Sequence, residues 1–300
     1  MIRKIALLIG LVGVFQQALS QALKFSTSVG KYADVGGSKI WYEECGPSTP
    51  GPGVVLLHDG LLHSVTWDEV WKPLCSKYHV VRYDRRGYGR SDRARAPFVP
   101  EDDLLSILRI VHMDRTVIIG NSSGGGLAID FTLAHPAMVS ALFLIGPVVH
   151  GMANSDYFIK RGEENDTPLS HGDVRAAAEK WSRDRFLIAG NESAARKKLY
   201  DVLADNPQNL KFGGELEKHP SPSAVSRLSE ITVPTLILVG EADIGDVFAY
   251  AGAIKAAVPS ASFEIWKDVG HLIQAQRPAD MVTRFDLFYS LAMTKQSRAR

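Results

Sequence analysis

The chain has 300 residues, 45% of them apolar, enough to bury a full core as one large domain or as a domain carrying an insertion. Its 34 Lys and Arg nearly balance 33 Asp and Glu, so net charge gives no reason to expect nucleic acid or another polyanion as partner. No internal repeat or low-complexity tract interrupts it, which argues against a solenoid, a fibre or a disordered scaffold.

Taken in chain order, the first feature is Arg3 and Lys4 ahead of the apolar run Ile5 to Phe15, with small residues at Ala18 and Ser20. This pattern reads as a secretory signal over residues 1–20, cleaved after Ser20, and predicts a secreted or periplasmic protein. The run is too short to span a bilayer, so no stable membrane insertion is expected once it is removed. Two cysteines, Cys45 and Cys75, do not make a disulfide framework in a chain this long, and both are expected as buried free thiols.

Beyond the signal, β-branched and aliphatic runs alternate with helical patterns, the signature of a sheet covered on both faces. Strands are predicted at Lys39 to Glu44, Val54 to His58, His79 to Tyr83, Thr116 to Ile119 and Val139 to Ile145. Helices fall between them, at Trp67 to Leu74, Glu101 to Ile110 and Ser123 to His135. The rhythm breaks after Gly146. From about His150 to Arg227 the sequence is polar and helical, clearest at Val174 to Leu187 and Ser193 to Leu203, and is read as an inserted cap. Strands resume at Thr235 to Val239 and Ser262 to Trp266, with helices near Val247 to Val258 and from Ala279 to Leu291. The division is therefore a core of residues 21–148 and 228–300, with a helical cap over 149–227.

Gly120-Asn121-Ser122-Ser123-Gly124 lies where a buried strand hands over to a helix. Small residues two before and two after Ser122 permit a turn tight enough to strain that serine and expose its hydroxyl above the sheet edge. A serine hydroxyl is a poor nucleophile at neutral pH, so a base must take its proton and a carboxylate must hold that base in the right tautomer. The strand ends supply both: Gly240-Glu241-Ala242-Asp243 follows one late strand, Gly270-His271 the next, and parallel strands place their ends on one side. Glu241, Asp246 and Asp268 compete with Asp243 as the acid on position alone. The backbone N–H groups of Ser123, at a helix start, and of Gly60, in the turn His58-Asp59-Gly60, are the candidate donors to a developing oxyanion. His58 and His63 are close enough in sequence to line the site, Asp59 is a further pocket candidate, and Tyr157, Phe158, Trp181, Phe186 and Leu187 of the cap could line an apolar pocket.

The segments LLHDG, DRRGYGRSD, GNSSGGG, PTLILVGEAD and DVGH resemble the α/β-hydrolase superfamily, in order and over nearly the whole mature chain. The resemblance implies an α/β fold with a mostly parallel eight-stranded sheet, flanking helices and an inserted helical cap. It also implies a nucleophile at Ser122, the acid at Asp243, the base at His271 and an oxyanion hole at the N–H groups of Ser123 and Gly60. Many relatives have His-Gly where this chain has His58-Asp59, so a carboxylate sits beside the oxyanion turn. Serine at the elbow sets the chain apart from the dehalogenases and epoxide hydrolases of this fold, which use Asp there.

What remains is cleavage of carboxylic esters of small organic molecules through an acyl-enzyme on Ser122, with lactone or carbon–carbon bond hydrolysis as alternatives on the same triad. A reading of another class is a receptor-like protein that binds a ligand in this pocket with slow or no turnover. No cofactor and no metal site are expected, since the chain has no H-E-x-x-H run, no paired C-x-x-C and no phosphate loop.

Overall fold

The computed structural model describes residues 29–47, 51–211, 214 and 216–298. The segment read as a signal, residues 1–20, lies outside the described residues. Eight strands form one sheet: β1 (Lys31–Val35), β2 (Ser38–Cys45), β3 (Gly53–Leu57), β4 (Val80–Tyr83), β5 (Thr116–Asn121), β6 (Val139–Ile145), β7 (Thr235–Gly240) and β8 (Ala261–Trp266). Their order is β1-β2-β4-β3-β5-β6-β7-β8. β2 is antiparallel to both its neighbours, and every other pairing is parallel. β1 is absent from the sequence-based elements. It joins β2 through Gly36 and Gly37, at φ 57° and 76°, the positive values that a two-residue hairpin turn needs.

The helices are α1 (Asp68–Cys75), α2 (Pro100–Ile110), α3 (Ser123–Ala134), α4 (Asp156–Asp166), α5 (Val174–Arg183), α6 (Ser193–Asp205), α7 (Pro207–Leu210), α8 (Gly245–Ala257), α9 (Ile273–Gln276) and α10 (Pro278–Arg298). The run Val54-Val55-Leu56-Leu57 shows why the central strands read as continuous apolar segments. Val55 and Leu57 pack with Leu104, Leu127 and Tyr250 of α2, α3 and α8, while Val54 and Leu56 pack with Val70, Leu74 and Phe285 of α1 and α10. With side chains alternating across the strand and both faces covered, no position is left for a polar residue.

Among the described residues no strand of the sheet falls between β6 and β7, where the chain instead runs through α4 to α7. This insertion has its own apolar cluster, in which Ala178, Trp181, Leu199 and Leu203 meet Leu62 and Leu272 of the core. α5 stops at Arg183, short of the predicted Leu187, because Asp184 turns extended (ψ 120°). Its carboxylate then accepts from Phe186 N–H at 2.8 Å and from Arg161 Nε at 2.5 Å. Among the described residues no helix is long and apolar enough to cross a membrane.

The expectation of free thiols is corrected. Cys45 and Cys75 form a disulfide, their Cα atoms 5.4 Å apart, because pairing of β2 with β4 brings the end of β2 beside the end of α1. It lies at the edge of the sheet where β4 begins, opposite the edge where the parallel strands end.

Candidate active site

Ser122 follows β5 at φ 55° and ψ −120°, a combination outside the ordinary basins of a residue with a Cβ and worth about 1–3 kcal/mol of strain. The turn is held from both sides. Ser122 N–H donates to Ile145 C=O at 2.9 Å, and Ser122 C=O accepts from Gly126 N–H at 3.1 Å and Val148 N–H at 3.2 Å. A Cβ at Gly124 would lie 2.3 Å from Leu57 O, and one at Gly120 would lie 2.6 Å from Gly124 O, so both flanking glycines are required by backbone contact. The serine is partly exposed at the floor of a cavity of about 300 Å³.

β7 and β8 deliver the other two groups. His271 Nδ1 donates to Asp243 Oδ2 at 2.8 Å, and both side chains are buried. Of the competing acids, Asp246 accepts from the N–H and hydroxyl of Ser155, Glu241 accepts from Asp268 N–H, and Asp268 itself is exposed. Nδ1 carries the proton given to Asp243, which leaves Nε2 as the basic nitrogen. Burial by itself lowers the His271 pKa, but the Asp243 carboxylate, through its charge and hydrogen bond, together with Asp59 outweighs that and Arg161, and raises it above the ordinary imidazole value. Ser122, Asp243 and His271 all line the same cavity.

Gly60 and Ser123 lie side by side on that cavity's wall, where a Cβ on Gly60 would approach Ser123 Oγ to 3.1 Å. Asp59 shapes this turn. Its Oδ1 accepts from the N–H groups of Leu61 and Leu62 at 2.7 and 2.8 Å, while Oδ2 is buried without a hydrogen-bond partner. Trp181 and Leu187, with Phe158 and Arg161, bring the cap to the cavity.

Four of the residues expected there, His58, His63, Tyr157 and Phe186, do not line the cavity; His63 is buried, its Nδ1 3.1 Å from Asn209 Nδ2. His58 is fully buried behind the turn, its Nε2 accepting from Arg85 N–H at 2.9 Å and its Nδ1 donating to Asp59 C=O at 2.7 Å. Burial, with Arg85 adding to it, holds its pKa well below the imidazole range, so it is a neutral structural group. Phe186 turns its ring toward Tyr157, at 6.0 Å between centroids, while its carbonyl accepts from His271 N–H at 2.7 Å. Tyr157 is itself exposed.

Several positioning groups were not picked out by motif. Asn121 donates to Ile145 C=O at 2.9 Å and His271 C=O at 3.3 Å, joining the serine turn to the histidine loop. Gln276 Oε1 accepts from Gly270 N–H and Ala189 N–H at 2.8 and 3.0 Å, joining that loop to the cap. Arg85 Nη2 donates to Ser123 Oγ at 2.8 Å and Asp59 C=O at 3.1 Å, so one guanidinium bridges the segments that carry Gly60 and Ser123. Gly146, at φ 48°, passes under the dyad, where a Cβ would lie 2.8 Å from His271 Nδ1. Asn and Gln near a loop carry no signal of a tertiary bridge, whereas Arg85 belongs to the DRRGYGRSD segment that carries the family resemblance.

Residues 54–284 match the family model described as the alpha/beta hydrolase family. The chain belongs to the alpha/beta hydrolase family. An uncharacterized protein of Mycobacterium bovis is 26% identical over 261 residues, covering 78% of this chain and 75% of that protein. A pimeloyl-[acyl-carrier protein] methyl ester esterase of Nitrosospira multiformis is 29% identical over 216 residues, covering 65% of this chain and 78% of the esterase. Among solved structures, the enol-lactonase of Burkholderia xenovorans has the same fold, with a TM-score of 0.74 at 19% identity over 87% of this chain and all of that one. As a member, this alpha/beta hydrolase is placed among hydrolytic enzymes.

Proposed function

We propose that this alpha/beta hydrolase cleaves carboxylic esters of small organic molecules through an acyl-enzyme on Ser122. The observation that carries the reading is that one cavity of about 300 Å³ is lined by a strained serine and by a hydrogen-bonded His271–Asp243 pair. Ser122 attacks the carbonyl while His271 Nε2 takes its proton, and Asp243 steadies the imidazolium that results. The N–H groups of Gly60 and Ser123 receive the oxyanion. His271 then returns its proton to the leaving alcohol and activates the water that releases the acid.

The cavity is of a size for a small organic molecule. Asp59 and Asp166 line it against a single cation, Arg161, which is already paired with Asp184, so the reading commits to esters without a negative charge near the scissile bond. A disulfide between Cys45 and Cys75 supports the further reading that the protein works in an oxidising, secreted or periplasmic setting.

The test is a panel of short aryl esters, lactones and carbon–carbon substrates, run beside fluorophosphonate labelling. Ser122→Ala should lose both label and turnover while keeping its fold. A preference for lactones would move the assignment to that class. Labelling without repeated turnover of any substrate would favour the receptor-like reading.

A further inference from the structure

Along α3, separated from the active-site cavity by Ser123, which lines both, lies a much smaller cavity of about 20 Å³. Its walls bring together Asp130 of α3, His150 beyond β6, Glu101 at the start of α2, and Glu217 and His219 from the end of the insertion. Donor atoms of Asp130, His150 and His219 all lie within 4.8 Å of one another. Asp130 Oδ2 contacts His150 Nδ1, and the two imidazole rings are 4.0 Å apart between centroids. No spacing in the sequence announces this, because the three residues come from distant segments.

Two features point to a ligand. Asp130 is 1% exposed and Glu101 2% exposed, and each has a carboxylate oxygen, Oδ1 and Oε2, that is buried with no hydrogen-bond partner. Unpaired acceptors in an interior cost on the order of 1–3 kcal/mol each, so such a pair around one small void is unusual in a finished core. Charge leads the same way. Three carboxylates, those of Asp130, Glu101 and Glu217, face the void against the single guanidinium of Arg85. The volume exceeds the roughly 10–15 Å³ that one small occupant needs.

We propose that Asp130, His150 and His219 bind one divalent cation of the zinc, cobalt or nickel class, with the buried carboxylate of Glu101 on the same void adding negative charge. Two imidazoles and carboxylate oxygens suit borderline metals, whereas calcium and magnesium prefer all-oxygen shells. The site is structural in character. The segment around Glu217 pairs with Phe98, through Phe98 N–H to Leu216 C=O at 2.9 Å and Lys218 N–H to Phe98 C=O at 2.8 Å. A metal on His219 would tie the same segment to α3, the helix that begins directly after Ser122, and so fasten the end of the insertion to the nucleophile's support.

The test uses full-length, tag-free protein stripped with a chelator and then titrated with Co(II). Visible d–d absorption saturating at one equivalent is expected, and Zn(II) at about a hundredfold excess over its Kd should raise Tm by about 5 °C. His219 is exposed, so His219→Gln keeps the fold and should lose both responses; His150→Gln should lose them too. Absence of the Co(II) bands in the unaltered protein overturns the proposal. So does a Zn(II) shift that survives undiminished in His219→Gln, which would mean adventitious metal only.

Discussion

His271 Nδ1 donates to Asp243 Oδ2 at 2.8 Å, and the same imidazole also feels the charge of Asp59, which lines the same cavity from the turn that carries Gly60. In the proposed mechanism His271 must be neutral to accept the serine proton, and two carboxylates bias it toward its protonated form. Because the folded-state pKa is raised, kcat/KM should fall on the acid side with an apparent pKa above the ordinary 6.5. Asp59→Asn keeps an Oδ1 acceptor for Leu61 and Leu62 but removes the charge, so it should move that limb to lower pH. An unmoved limb in a kcat/KM profile would sink the assignment of Asp59 to this role. Stability runs the other way: the contribution of the raised pKa is full below the unfolded imidazole value and is lost as pH rises through the folded one.

Gly146 is a second point at which the dyad is set by a neighbour's shape. An added methyl would lie 2.8 Å from His271 Nδ1, 2.9 Å from its Cε1 and 3.1 Å from Asp243 Oδ2, at a backbone φ of 48°. The imidazole has to move to make room. Gly146→Ala is expected to lower kcat about 100-fold or more through misplacement of the base, with a stability loss of about 1 kcal/mol. Steady-state kinetics beside urea unfolding would separate the two effects, and near-normal kcat would contradict the role given to this glycine.

What the residues disclosed in advance, and what they did not, follows from how local each signal is. The central strands were legible because both faces of β3, β5, β6 and β7 are covered, which leaves uninterrupted apolar runs. β1 was not, because its Lys31, Tyr32 and Asp34 face solvent and only Ala33 and Val35 are buried, too short an alternation to stand out. Ser122 and His271 could be placed from turns of small residues after strands. His58 and Phe186 could not be placed, since nearness in sequence to a site does not tell which way a side chain points. The Cys45–Cys75 bond was hidden for a similar reason: it depends on the register of β2 against β4, which neither segment specifies alone.

Arg85 tests whether the two donor segments are held jointly. Its Nη2 reaches Ser123 Oγ and Asp59 C=O together, and its ring-facing side lies 4.9 Å from the Tyr88 centroid. Lysine keeps the charge but cannot present the same planar fork. Arg85→Lys should therefore lower kcat about tenfold with little change in KM, because an oxyanion contact is stronger in the transition state than in the bound ester. A change confined to KM would instead place Arg85 in substrate binding.

The Cys45–Cys75 bond separates stability from chemistry. It closes a loop with a sequence separation of 30, which in the chain-entropy account corresponds to about 3–4 kcal/mol of stabilisation through the unfolded state. Both cysteines lie at the edge of the sheet opposite the strand ends that carry Ser122, Asp243 and His271, since Cys45 pairs with Val80 at the start of β4. Cys75→Ser should thus shift the urea midpoint down by an amount consistent with that range while leaving kcat on a short ester within about twofold at a temperature where both proteins are folded. Addition of dithiothreitol to the unaltered protein should produce the same shift and none in the variant. If reduction changed kcat instead, the bond would be coupled to the cavity through β4 and the loop carrying Arg85, and the separation drawn between the two edges of the sheet would fail.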